Sequence, residues 1–142
     1  KWLIALILCF IWGNSLLPAE LSRALSLWVK SLLEPLFPSG AASPEQGHGL
    51  LRKLAHFTEF AALGWCLTWR FGMLEKKKIL ALGYGAGAAC VDETIRLFVP
   101  ERGPGLTDVA IDTFGVAVGI LLTLSGHYLC EKLKHQKETK TQ

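Results

Sequence analysis

The sequence predicts an all-α fold: an integral membrane four-helix bundle, with a further amphipathic helix lying at the interface in the first outer loop. Four apolar runs approach or reach the ~20 residues that a helix needs to cross a bilayer. Charges are segregated between those runs, which is how a chain with 19% charged residues keeps a mean hydropathy of +0.34. The polar residues that do fall inside the runs recur at spacings of three and four, so they share helix faces. The 142 residues are read as one domain.

The first element is the run from Trp2 to Leu17, closed by Pro18. It is a little short for a crossing, yet it reads as a retained span rather than a cleaved signal. No A-x-A site follows it, and Trp12 sits late in it. Over 19–34, Leu21, Leu25, Trp28 and Leu32 repeat at intervals of four and three, while Glu20, Ser22, Arg23, Ser26 and Lys30 lie on other faces. That pattern predicts an amphipathic helix in the outer interface, with a helix capping the bundle as the alternative. Pro35, Pro38, Ser39 and Gly40 begin a stretch to Gly49 that reads as a flexible loop, His48 included. The remaining spans are expected at 50–73, 79–99 and 109–130, followed by a tail over 131–142. The cysteines Cys9, Cys66, Cys90 and Cys130 form no C-x-x-C and read as small packing residues.

Lysines set the expected orientation. The turn from Arg70 to Lys78 carries Lys76, Lys77 and Lys78, and the tail carries Lys132, Lys134, Lys137 and Lys140. Four spans put both segments on one side, and the positive-inside rule makes that side the cytoplasm. The expected location is the cell membrane, multi-pass, N-in and C-in. Nucleic acid is excluded as a partner, because the basic runs flank apolar spans without aromatic interleaving.

This topology gathers the intramembrane charges at one level. Lys53, His56 and Glu59 open the second span. Asp92, Glu93 and Arg96 close the third, Arg102 follows it, and Asp108 and Asp112 open the fourth. A charge left facing lipid costs about 2.5–3.5 kcal/mol on insertion scales, so these groups are expected to face inward. Asp92 precedes Val99 by a stretch that places it ~10 Å below the outer boundary at ~1.5 Å per residue. Asp108, Asp112, Gly115, Gly119, Leu122 and Gly126 form one stripe, and Gly85, Ala89, Asp92 and Arg96 form another. Arg52, His56, Glu59, Leu63 and Cys66 form a third. Gly115 with Gly119, and Gly83 with Gly87, make G-x-x-x-G pairs, whose small residues let helices close up. The expected site is a pocket in the extracytoplasmic leaflet lined by Lys53, His56, Glu59, Asp92, Glu93, Arg96, Arg102, Asp108 and Asp112. Its plainer counterpart is an ion-paired network that only fixes helix register, supported by Asp92 lying four residues before Arg96.

Three ordered segments resemble a known family. Lys53-Leu-Ala-His56-Phe-Thr-Glu59-Phe resembles the K-x-x-H-F-x-E motif, followed by Tyr or Phe, of the VanZ-like family. The stretch from Asp92 and Glu93 through Arg96 and Pro100 to Arg102 resembles its D-E-x-x-Q-x-F-x-P-x-R segment. Asp108 through Asp112 to Gly115 and Gly119 resembles its D-x-x-x-N-x-x-G-x-x-x-G, and Asn14-Ser15 at the end of the first span is similar too. The resemblance covers nearly the whole chain. Arg96 stands where the family usually has glutamine, and Asp112 where it usually has asparagine. What the resemblance implies is a small integral membrane protein, associated in its namesake with low-level resistance to the glycopeptide teicoplanin.

Two function classes then compete. The first is a binding protein of the cell envelope, whose pocket takes a membrane lipid or a lipid-linked cell-wall precursor by its headgroup, with no cofactor. The second is a membrane enzyme acting on a lipid-linked substrate. There His56 and Glu59, at i and i+3, are the candidate catalytic acid/base pair, or hold a divalent metal with Asp92 and Asp108. No nucleophile motif or phosphate loop accompanies them, and the sequence alone leaves the question of an enzyme open. A transporter is a third class, for which four spans offer little room unless the chain forms a homo-oligomer. The departures at 96 and 112 further lead to the expectation that Arg96 and Asp112 are direct partners across a helix interface.

Overall fold

The computed structural model of the chain describes residues 2–33, 44–72, 74–100 and 105–139. These form five helices and no strand: α1 (Trp2–Leu16), α2 (Ala19–Leu33), α3 (Pro44–Phe71), α4 (Glu75–Arg96) and α5 (Leu106–Thr139). The expected all-α class is observed. α1 stops where Pro18 removes a backbone donor, and the axis bends by 114° between Trp2–Leu16 and Glu20–Val29.

Helix bounds differ from expectation where local chemistry permits extension. α3 starts at Pro44, so His48, expected in a loop, lies within the helix. Proline is well placed at a helix start, because its missing N–H would have no intrahelical acceptor there. The helix ends at Gly72, whose φ of 96° is open to glycine at little cost. Its N–H closes the last turn on the Thr68 carbonyl at 2.8 Å. α5 runs through most of the expected tail, which is rich in the good helix formers Lys, Glu and Gln.

α3 lies at the centre, packed along α5 and also against α4, α1 and α2. The core joins Ile11 of α1, Phe60, Leu63 and Leu67 of α3, Ala81, Ala88 and Ala89 of α4, and Val116 and Ile120 of α5. Glycines set the spacing. A Cβ on Gly115 would sit 2.6 Å from the Phe57 carbonyl oxygen, and one on Gly119 would overlap the Ala61 carbonyl. The α5 G-x-x-x-G thus packs against α3 as its stripe suggested. The α4 pair does not: a Cβ on Gly83 or Gly87 would meet open space, and Gly85 makes the close approach, to Val116. Asp92 and Arg96 must point inward, and Gly85 shares their face whereas Gly83 and Gly87 do not.

By length and composition, Leu106–Lys137 is long and apolar enough to cross a membrane, and the bent α1–α2 pair would count as a second such unit. Four separate crossings are not given by this measure. α1 has 15 residues, about 22 Å of helix against a hydrocarbon core of ~30 Å. α3 and α4 carry the charges of the site within their lengths.

The glycine contacts generate a test. Gly119→Ala should destabilise the purified protein by about 1–3 kcal/mol, the usual penalty of overpacking. Gly126→Ala, where a Cβ meets nothing within 4 Å, should leave stability equal or slightly higher. Equal melting curves for the two variants would count against the close α3–α5 approach.

Candidate functional site

Three helices, α3, α4 and α5, bring the charged residues into one cluster around Arg96, and α1 adds Asn14. Its side chain leaves the last turn of α4 and is 1% exposed. Nη1 donates to Asp108 Oδ2 at 2.8 Å and lies 3.3 Å from Glu93 Oε2. Nη2 lies 3.0 Å from Asp92 Oδ2 and 3.0 Å from His56 Nε2. The pair with Asp92 is the intrahelical one expected from the i, i+4 spacing. A guanidinium has only donors, so at the histidine contact Nε2 accepts and the ring proton sits on Nδ1. That nitrogen faces Glu59 Oε2 at 3.7 Å. Asn14 Nδ2, from α1, donates to Glu59 Oε1 at 3.1 Å and so holds the carboxylate toward the ring.

The backbone takes part as well. Glu93 Oε1 accepts the Gly105 N–H, which ties the entry of α5 to the end of α4. Asp108 falls in the first turn of α5, where the helix dipole favours a negative charge. Asp92 and Asp112 are fully or almost fully buried. Asp112 Oδ2 is without a hydrogen-bond partner among the described residues, whereas Asp92 is held by Ser15 and by Arg96 at 3.0 Å. Five carboxyl groups, those of Glu59, Asp92, Glu93, Asp108 and Asp112, thus share this cluster with the Arg96 guanidinium.

All the expected site residues but Arg102 can be placed. His56, Glu59, Asp92, Glu93, Arg96 and Asp108 are linked by the contacts above, and Asp112 adjoins them. Lys53 is exposed but borders a small cavity with Arg52, His56, Arg96, Asp108, Ile111 and Asp112. Arg102 lies outside the described residues. The expected direct Arg96–Asp112 pair is replaced by Arg96–Asp108: Asp108 lies one turn nearer the start of α5, level with the guanidinium. The cavity measures about 10 Å³, enough for one water or one small ion. Ion pairs fill the space that a larger ligand would need, so the charged cluster is closed rather than an open pocket.

Asn14, Ser15 and Arg52 complete the cluster and were not among the expected site residues. Ser15 is fully buried beside Asp92. The signal was present in the sequence, since Asn14 and Ser15 are the polar pair at the end of an otherwise apolar run.

A wider cleft of about 330 Å³ lies next to this cluster, between α2 and α3. Asn14, Ser22, Ser26, Arg52 and Thr58 give it polar walls, and Leu25, Val29 and Leu51 give it apolar ones. Thr58 also borders an apolar groove of about 710 Å³ between α3 and α5, which runs past Ala61, Trp65 and Leu122 to His127.

A family model described as VanZ/LLP1 matches residues 2–128 of the chain. No curated protein and no solved structure matches it.

The geometry predicts which residues are coupled. Removing one member of a buried pair typically costs 3–5 kcal/mol, because the survivor is left uncompensated. Arg96→Gln and Asp108→Asn should each destabilise on that scale, and the double variant should lose much less than their sum. Arg96→Gln with Asp112→Asn should be closer to additive. A double-mutant cycle measured by denaturant unfolding checks this, and stronger coupling to 112 than to 108 would contradict it.

Proposed function

This chain belongs to the VanZ-like family, and on that premise we propose that it is a multi-pass membrane protein. It binds the headgroup of a lipid or lipid-linked cell-wall precursor at its outer side, and it is linked to glycopeptide resistance of the teicoplanin type. Its outer surface favours lipid as solvent: Trp2, Trp69, Phe98 and Leu106 are each more than 80% exposed, while the acidic groups turn inward. α1, α3, α4 and α5 are the four crossings, with both termini cytoplasmic. α2, bent sharply from α1, lies along the outer interface with Leu21, Trp28 and Leu32 toward the lipid.

The observation that carries the binding reading is the cleft between α2 and α3. It offers one cation, Arg52, with donors from Asn14 and Ser22 and with Ser26 and Thr58, whose hydroxyls donate to the Ser22 and Ala55 carbonyls, as acceptors, a set suited to an anionic, sugar- or phosphate-bearing headgroup. Thr58 connects it to the α3–α5 groove, whose apolar walls suit an acyl chain. Asn14 and Arg52 border the charged cluster, so a bound headgroup would contact residues that position His56 and Glu59. The cluster itself serves as the rigid floor of the cleft.

A second reading, a membrane enzyme acting on a lipid-linked substrate, has the Asn14–Glu59–His56 alignment in its favour. On that reading Glu59→Gln would abolish turnover while leaving lipid binding in place.

Two measurements test the first reading. Native mass spectrometry of the detergent-purified protein should show one anionic lipid per chain, reduced at least about tenfold in Arg52→Gln, as expected for loss of a charge-assisted contact. Equal occupancy in wild type and Arg52→Gln would sink the assigned cleft. For topology, in a background without the native cysteines, an impermeant thiol reagent should label Arg23→Cys but not Lys77→Cys in intact cells. The reverse pattern would invert the orientation.

A further inference from the structure

We infer that His56, Asp92 and Asp112 form a binding site for one divalent cation of the zinc or manganese class. They come from three helices, α3, α4 and α5, and one donor atom of each lies within 4.8 Å of the other two. Their exposures are 4%, 0% and 1%, respectively. Asp112 Oδ2 is buried and accepts no hydrogen bond among the described residues, while Asp92 faces Ser15 and the Arg96 guanidinium. The Asp112 carboxylate therefore has a lone pair to offer beside donor atoms of His56 and Asp92. One imidazole and two carboxylates is a donor set for borderline transition metals, whereas calcium takes six to eight oxygens.

The surroundings fit the same ion. Glu59 stands 3.7 Å from His56 Nδ1, on the side of the ring from which a carboxylate orients a histidine that coordinates through Nε2. Asn14 fixes Glu59 in turn. Arg96 Nη2 is 3.0 Å from both His56 Nε2 and Asp92 Oδ2, so the guanidinium sits where a cation would sit. Its Nη1 already touches Asp108 and Glu93, which can take over the whole head when a metal enters. The small cavity bordered by His56 and Asp112 reaches the exposed Lys53, which marks an entry path.

The test uses the full chain in detergent, stripped with a chelator and titrated with zinc or manganese chloride by calorimetry, with bound metal counted by mass spectrometry. Wild type should bind one ion per chain. Asp112→Asn and Asp92→Asn should bind at least about tenfold more weakly, and Glu59→Gln about 10–100-fold more weakly, as for loss of a carboxylate behind a ligating histidine. Arg96→Gln should bind more tightly, because the competing cation is gone. His127→Gln with His135→Gln, on the exposed end of α5, should bind like wild type. Metal-free melting curves establish that each variant is folded, and Glu59→Gln keeps the test valid where a ligand variant misfolds. Failure of wild type to bind either metal would overturn the site, as would wild-type affinity in Asp112→Asn, weaker binding in Arg96→Gln or loss in the α5 double variant. None of these outcomes bears on the lipid cleft, which is scored by lipid occupancy at Arg52.

Discussion

The Arg96 guanidinium cannot be moved without stranding carboxylates on two helices and a histidine on a third. It contacts Asp92 and Glu93 on α4, Asp108 on α5 and His56 on α3, and it is almost fully buried. In a low-dielectric interior such a hub is costly to assemble and costlier to break, so its main yield is specificity of arrangement rather than net stability. The register of α3, α4 and α5 follows from it: sliding any of the three by one turn separates an ionic partner by ~5.4 Å. Asn14 extends the same constraint to α1 through Glu59.

The hub is possible only because the helices beneath it approach closely. Gly115 and Gly119 bring α5 against the α3 backbone, and Gly85 brings α4 against Val116. With side chains at those positions the axes would separate, and Asp108 could not reach Arg96 at 2.8 Å. Packing and electrostatics are thus two ends of the same stripes. The small residues lie below, where backbones meet, and the charges lie above, where the helices are just far enough apart to hold them.

This division explains what was legible in the sequence. Charge within an apolar run and helical spacing together identified the cluster, because apolar surroundings penalise an unpaired charge wherever they lie. The α5 glycine stripe was readable for the same reason, since it shares a face with Asp108 and Asp112. Gly83 and Gly87 show the limit of motif reading: the pair is spaced for contact but lies off the face that carries Asp92 and Arg96. Asn14 and Ser15 were recognisable as polar residues, yet nothing in spacing along α1 could place them opposite Glu59 and Asp92. The choice of Asp108 over Asp112 as the partner of Arg96 depended on the relative height of two helices. A sequence specifies that only through the full packing. The early start of α3 at Pro44 had a local signal, the tolerance of proline at a helix's first position, but the neighbouring glycines and serine obscured it.

The volume of the site was the least legible property, and it changes how function must be approached. Nine polar residues near one level suggest an open pocket when only their positions are known. Once ion pairs form, they occupy the space themselves, and about 10 Å³ is left. Any ligand larger than an ion must therefore act beside the cluster rather than within it, where the cleft between α2 and α3 offers about 330 Å³. Arg52 and Asn14 belong to both environments, the one bordering the small cavity and the other bonded to Glu59. A charge arriving at Arg52 would alter the field on His56 and Asp112 across a water-poor interior, where screening is weak. Such an effect needs electrostatics alone, without movement of any helix.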